Sequence, residues 1–276
     1  MYSRVYFEIT NICNKNCSFC PGTIREKKMV NMDEFLLTMN KLKGITEYIY
    51  FHLMGEPLLH PMLPDFIRKS KELGFKPAIT TNGTLIQNRG KDIVEAGIYK
   101  VSISIHSFED GSEEEYKAYI NNCLNFADYA SRKGVLVVLR LWNKGGDESR
   151  NDNTISLIHN KFQEEWHYGK RGARIRDKLH LEYGEKFDWP DIQANDMGEK
   201  VFCYGLKDHF GILCDGRVVP CCLDREGIMT LGNIFNEPIE EILKSQKAKN
   251  IVEGFREKQA SEELCRKCGY ARRFKV

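Results

Sequence analysis

The feature that most limits what this chain can fold into is an alternation of short β-branched runs with longer amphipathic segments, sustained from Val5 to Tyr183. A first strand, Val5 to Ile9, leads through a polar, cysteine-bearing loop, Thr10 to Lys28, into a helix over Met32 to Lys43. Strand Tyr48 to Leu53 is followed by helix Pro61 to Leu73, strand Lys76 to Thr80 by helix Gln87 to Ala96, and strand Lys100 to Ile105 by helix Glu113 to Lys133. Strand Val135 to Leu141 then precedes helix Thr154 to His167, and Lys178 to Tyr183 reads as a sixth strand. The strands are nearly continuous in apolar character, as strands covered on both faces must be. The pattern predicts a parallel α/β fold, either a partial or full barrel or an open doubly wound sheet. In both, the loops leaving the C-terminal ends of the strands carry the chemistry.

The alternation stops at Asp188-Trp189-Pro190-Asp191, a turn-forming stretch, which divides the chain into 1–188 and 189–276. Beyond it, Phe210 to Val219 predicts a hairpin turning at Asp215-Gly216, and Ile239 to Arg256 a helix. The 276 residues are enough for a large domain with a small appendix. With 41 basic against 39 acidic side chains, no global field marks a nucleic-acid or membrane partner. Glu8 stands where a secretion signal would need an apolar core, and no apolar run is long enough to span a bilayer, so the expected location is cytoplasmic. Ten cysteines in such a chain read as metal ligands or reduced thiols rather than disulfides.

Cys13-x3-Cys17-x2-Cys20 follows the first strand, with Phe19 just before the last cysteine. Three thiolates on one short loop hold three irons of a cubane cluster and leave the fourth open to an outside ligand, whereas a structural site normally closes with four protein ligands. A zinc knuckle or three reduced thiols are the plainer readings. This loop resembles the signature of the radical S-adenosylmethionine superfamily, and the likeness extends over about residues 5 to 141. It implies a partial (β/α)6 TIM-like barrel with a small C-terminal cysteine-rich domain, a 4Fe-4S cluster whose open iron is chelated by S-adenosyl-L-methionine, and reductive cleavage of that cofactor to a deoxyadenosyl radical. A low-potential electron donor such as flavodoxin or ferredoxin is implied with it.

Further motifs fall where the family places cofactor contacts. Met54-Gly55-Glu56-Pro57, after the second strand, resembles the family's Gly-Gly-Glu-Pro loop, with Met54 departing from it. Gly55 would let backbone approach the methionine ammonium, and Glu56 would accept from it. Thr81 and Asn82 stand in a turn after the third strand that resembles the family's Thr-Asn-Gly turn, although Asn-Gly turns are common without a ligand. Ser104 alternates with Ser102 on the fourth strand and is the better cofactor contact of the two. Arg140 interrupts the apolar fifth strand, where its partner is either the cofactor carboxylate or a protein carboxylate. His106, after the fourth strand, is the candidate catalytic proton carrier, with a hydrogen-bonded spacer as the plainer reading; His52 is weaker.

Cys203-x12-Gly216-x4-Cys221 followed by Cys265-x2-Cys268 resembles the SPASM/twitch auxiliary-cluster region of the same superfamily, which implies a second 4Fe-4S cluster on these four cysteines. A four-cysteine zinc site is the alternative, although only one closely spaced pair exists. Cys222 is the substitute ligand, while Cys214 and Cys123 read as buried thiols. Basic residues around Lys170 to Lys178 and at Arg272-Arg273 and Lys275 read as solvated surface. Trp142 and Trp189 are candidate pocket aromatics. The implied activity is radical hydrogen abstraction, with peptide or protein modification placed ahead of oxidation of a small hydroxylated metabolite. A non-catalytic iron-sulfur carrier or redox sensor is the reading of another class.

Overall fold

The computed structural model describes residues 1–274. Strand β1 (Arg4–Phe7) leads through the cysteine loop to α1 (Met32–Lys41), then β2 (Tyr48–Tyr50), α2 (Leu63–Glu72), β3 (Lys76–Thr81), α3 (Ile86–Ala96), β4 (Lys100–Ser104), α4 (Glu113–Arg132), β5 (Leu136–Lys144) and α5 (Asn151–Lys161). Three more strands follow, β6 (His167–Gly169), β7 (Gly172–Arg176) and β8 (Leu179–Glu185), and then β9 (His209–Ile212), β10 (Arg217–Val219) and β11 (Gly232–Asn233). The chain closes with α6 (Ile239–Leu243), α7 (Gln246–Arg256) and α8 (Glu263–Arg266).

The eleven strands of the described residues form one open sheet in the order β11-β10-β9-β1-β2-β3-β4-β5-β8-β7-β6. Its centre is parallel, from β9 through β1 to β5 and β8, so the expected partial barrel is present and does not close. Strand β9 pairs with β1, which adds the region after Asp188 to the same sheet. Among the described residues no helix is long and apolar enough to cross a membrane.

Strand alternation sorts the side chains onto two faces. Val101 and Ile103 join the core shared with the helices, as do Val137, Leu139 and Leu141. Their neighbours Ser104, Arg140 and Trp142 face a cavity on the other side. Helix starts follow the local sequence: Asn31 with Glu34, and Ser112 with Glu115, form reciprocal caps that satisfy backbone donors otherwise left open. Phe35 of α1 stacks on Phe66 of α2 at 4.0 Å, joining the first two helices over the sheet.

Three expectations need correction. Helix α5 stops at Lys161 instead of running to His167, because Phe162 turns into the core and the chain enters the β6–β7 hairpin, which periodicity alone does not reveal. The helix expected over Ile239 to Arg256 is two, since the Ser245 hydroxyl accepts from the Ala248 amide and starts a new one. Strand β2 ends at Tyr50 and not Leu53, where the chain turns toward the Gly55 loop. The hairpin at Asp215-Gly216 forms as expected, with Gly216 at φ 85° and no room for a Cβ beside Phe235.

Candidate active site and cluster-binding residues

The cysteine loop leaves β1 and is closed at its base by Asn11, whose side chain donates to the Glu26 carbonyl (2.7 Å) and accepts from the Lys28 amide (2.9 Å). Thr10 adds a bond to the Lys28 carbonyl at 3.0 Å. Glu109 receives both the amide and the hydroxyl of Ser18, at 2.7 and 2.6 Å. Trp189 donates its indole N–H to the Phe19 carbonyl at 3.1 Å, tying the loop to the later half of the chain. Cys13 is exposed, while Cys17 and Cys20 are half-buried. Burial first, then the charges of Glu109, Cys20 and Cys13, push the Cys17 thiol up to about 12. Deprotonation at such a site needs a metal to compensate the charge.

Gly55 and Glu56 meet the loop from β2. A Cβ on Gly55 would lie 2.4 Å from the Thr10 carbonyl oxygen, and its φ is 77°, so the glycine allows the loop backbone to pass. The contact it provides within the chain is to the cysteine loop. The Glu56 amide donates to the Ile12 carbonyl at 2.8 Å. Its buried carboxylate accepts from Leu58 N (3.0 Å), Thr81 Oγ1 (2.7 Å) and Asn82 N (2.7 Å). Burial raises its pKa to about 6 against these three donors. Glu56 thus fixes the turn that holds Thr81 and Asn82. Asn82 in turn reaches Asn14 at 2.9 Å and the Cys13 sulfur at 3.8 Å.

A cavity of about 430 Å3 runs between the two cysteine sites. Phe19, His106, Ser104, Arg140 and Trp142 line one part of it, and Cys203, Cys221, Cys222, Cys265 and Cys268 line another. His106 Nδ1 lies 3.0 Å from the Arg140 carbonyl, and its ring packs on Phe19 at 4.8 Å. Burial lowers its pKa, so the ring is neutral. Nδ1 also lies 3.4 Å from the Trp142 amide, a longer contact that would need it to accept; in the tautomer that donates to the nearer Arg140 carbonyl, Nε2 is an acceptor. His52 is instead spent on Thr80, meeting its amide and hydroxyl at 3.0 and 3.1 Å, and burial lowers it to about 3.

The four expected cysteines and Cys222 line the same cavity, where burial, and then the charges of Cys222, Cys203, Cys265 and Cys268, raise the Cys221 thiol well above its ordinary range. Among the described residues, no three His, Cys, Asp or Glu side chains gather tightly around a single metal-ion position. The donors are thiols set beside Met229, Phe255 and Leu264, and this sulfur-only set fits an iron-sulfur cluster. Cys214 and Cys123 are buried elsewhere.

Sequence reasoning missed Glu8 and Arg25. Glu8, fully buried, pairs with Arg25 at 2.8 Å and accepts from the amides of Met54 (3.0 Å) and Cys214 (3.2 Å), linking β1, the cysteine loop, the Gly55 loop and the β9–β10 hairpin. A carboxylate inside an apolar strand was the available signal.

The family model of the radical SAM superfamily matches residues 7–152, and that of an iron-sulfur cluster-binding domain, SPASM, matches residues 203–269. A cofactor-modifying protein for the tungsten-containing aldehyde ferredoxin oxidoreductase of Pyrococcus furiosus is 36% identical over 106 residues, which cover 37% of this chain but only 30% of that protein. An S-adenosyl-L-methionine-dependent 2-deoxy-scyllo-inosamine dehydrogenase from Niallia circulans is 24% identical over 97% of this chain and 93% of its own length. The crystal structure of BtrN with AdoMet and 2-DOIA has a TM-score of 0.62 at 21% identity, covering 97% of this chain and 93% of that one. SuiB of Streptococcus suis, bound to its precursor peptide SuiA, gives 0.61 at 16%, covering 98% and 70%. The chain therefore belongs to the radical S-adenosylmethionine superfamily, as an enzyme with a SPASM region whose cofactors are S-adenosylmethionine, the 4Fe-4S cluster that binds it, and an auxiliary iron-sulfur cluster.

Proposed function

We propose that this enzyme oxidises a small polar molecule held in the cavity between the two cysteine sites. The observation that carries the reading is the cavity itself, since one volume touches Phe19 of the first loop and Cys203, Cys221, Cys265 and Cys268 of the second. When bound, S-adenosylmethionine on the first cluster supplies a hydrogen-abstracting carbon radical, and the second cluster supplies a one-electron acceptor.

The chain's own residues divide the remaining work. Cys13, Cys17 and Cys20 hold the first cluster, within residues 1–188. Cys203, Cys221, Cys265 and Cys268 hold the second, within 189–276. Gly55, Glu56, Thr81 and Asn82 shape the cofactor side of the loop, and Ser104 stands on the cavity wall. His106 takes the hydroxyl proton of the substrate on Nε2, a role that a neutral imidazole fits. A low-potential donor of the flavodoxin or ferredoxin kind delivers the electron that starts the reaction.

A small substrate is supported by likeness along nearly the full length of both chains to a dehydrogenase named for 2-deoxy-scyllo-inosamine. Peptide modification, favoured from sequence, is the second reading and is supported by the likeness to SuiB with its peptide. The test is anaerobic reduction with S-adenosylmethionine and deuterated candidates of both kinds. Deoxyadenosine release is expected without substrate, and deuterium in deoxyadenosine with the right one. Absence of any deoxyadenosine would refute the enzymatic reading, and label transferred from a peptide alone would favour the second.

A further inference from the structure

Three arginines with largely covered side chains can be compared directly. Arg25, 8% exposed, pairs with Glu8 at 2.8 Å and donates to the Arg225 carbonyl at 2.7 Å. Arg176, 17% exposed, reaches Asp128 at 2.6 Å, Ser131 at 2.8 Å and Glu164 at 3.0 Å. Arg140 is 21% exposed and makes one long hydrogen bond, from Nη1 to Thr80 Oγ1 at 3.4 Å. Its Nε is buried without a hydrogen-bond partner among the described residues, and Glu182 stands 3.8 Å away. A guanidinium carries five N–H donors, and burying them unmet is costly.

The direction in which Arg140 points matters as much. By register, its backbone lies level with Ser104 and Glu182, and Thr80 lies level with Ser102, two residues nearer the strand starts. The guanidinium reaches toward Thr80 and so runs down the cavity, away from the Asn82–Cys13 contact. It stacks 3.8 Å above the Trp142 ring, which fixes its plane. Lys100 adds a second cation in the same region: burial first and then Arg140 lower its pKa, and Glu182 supports both.

We infer that Arg140 is a substrate-binding residue, and that the substrate presents an oxyanion, a carboxylate or a phosphate ester, to its open fork. The inference rests on the cavity holding the substrate. It differs from the sequence expectation, in which the partner of Arg140 is either the cofactor carboxylate or a protein carboxylate, the latter place being taken at 3.8 Å by Glu182. A planar guanidinium stacked on an indole is suited to bidentate recognition of either group.

The test uses the reconstituted enzyme with both clusters and S-adenosylmethionine, titrated calorimetrically with inorganic phosphate and, separately, with acetate. At least one anion should bind the wild type, and the stronger arm indicates which oxyanion the site prefers. Arg140→Gln should weaken that binding by about tenfold. Arg140→Lys, which keeps the charge and loses the fork, should fall between. Cofactor affinity and uncoupled deoxyadenosine release should stay close to wild type in both variants, with both clusters present by iron content. Silence of the wild type toward both anions, unchanged anion binding in Arg140→Gln, or a tenfold loss of cofactor affinity would each overturn the inference; the last would return Arg140 to the cofactor carboxylate. A wild type that fails to cleave S-adenosylmethionine would sink the proposed function and leave the anion result standing.

Discussion

The first cysteine site draws three thiols from the eight residues Cys13 to Cys20, whereas the second draws four from a stretch that begins at Cys203 and ends at Cys268. Polar stitches surround the first: Glu109 holds Ser18, Asn82 touches Cys13, and Glu56 holds the Asn82 turn. The second is enclosed by packing, with aromatic neighbours Phe187, Tyr270 and Phe274 in edge contacts beside Cys268. A site that must admit an exogenous ligand needs donors and acceptors within reach, and one that holds a closed cluster needs a dry wall.

Substitutions can break this contrast, beginning with the largest effect. Cys13→Ala, Cys17→Ala or Cys20→Ala should each reduce deoxyadenosine formation to background in a reduced anaerobic assay, because two thiolates cannot hold the open-site cluster. Cys268→Ala should leave that cleavage close to wild type while stopping net substrate oxidation, which product analysis would show.

Glu56→Gln should lower cofactor affinity by roughly ten- to a hundredfold, about 1–3 kcal/mol, since the amide N–H2 would face the donors now bound by the carboxylate. Binding calorimetry reads the loss, and iron content should be unchanged. The same carboxylate, raised to about 6 by burial, predicts that wild-type cofactor affinity falls as pH drops through that value, as the protonated group opposes its three donors. The folded pKa lies above the ordinary one, so the stability linked to this group moves the other way: it is present at low pH and lost as pH rises through about 6. Glu56→Gln should flatten both dependences. The smallest effect belongs to Glu109→Ala, which removes two hydrogen bonds from an exposed serine and should cost about 1 kcal/mol, read as faster loss of the first cluster to a chelator.

The parallel strands and the first cysteine loop were legible because their signals are local: alternation over a few residues, and three thiols in one turn. The four later cysteines were legible only through resemblance, since their meeting depends on β9 pairing with β1 some two hundred residues earlier in the chain. Glu56 was placed at the site, but its three partners come from residues that no spacing rule connects to it. Glu8 and Arg25 were missed for the same reason: a charge in a strand signals a partner without saying which. Arg140 stood out in the sequence as a cation in an apolar strand, and its direction along the cavity required the structure.

The most direct test of the two-site account is Mössbauer spectroscopy and iron analysis of a triple variant, Cys13→Ala, Cys17→Ala and Cys20→Ala, after anaerobic reconstitution. The account predicts one remaining 4Fe-4S cluster per chain on Cys203, Cys221, Cys265 and Cys268, with a spectrum that S-adenosylmethionine does not change. Zinc in its place, or no bound iron, would contradict it.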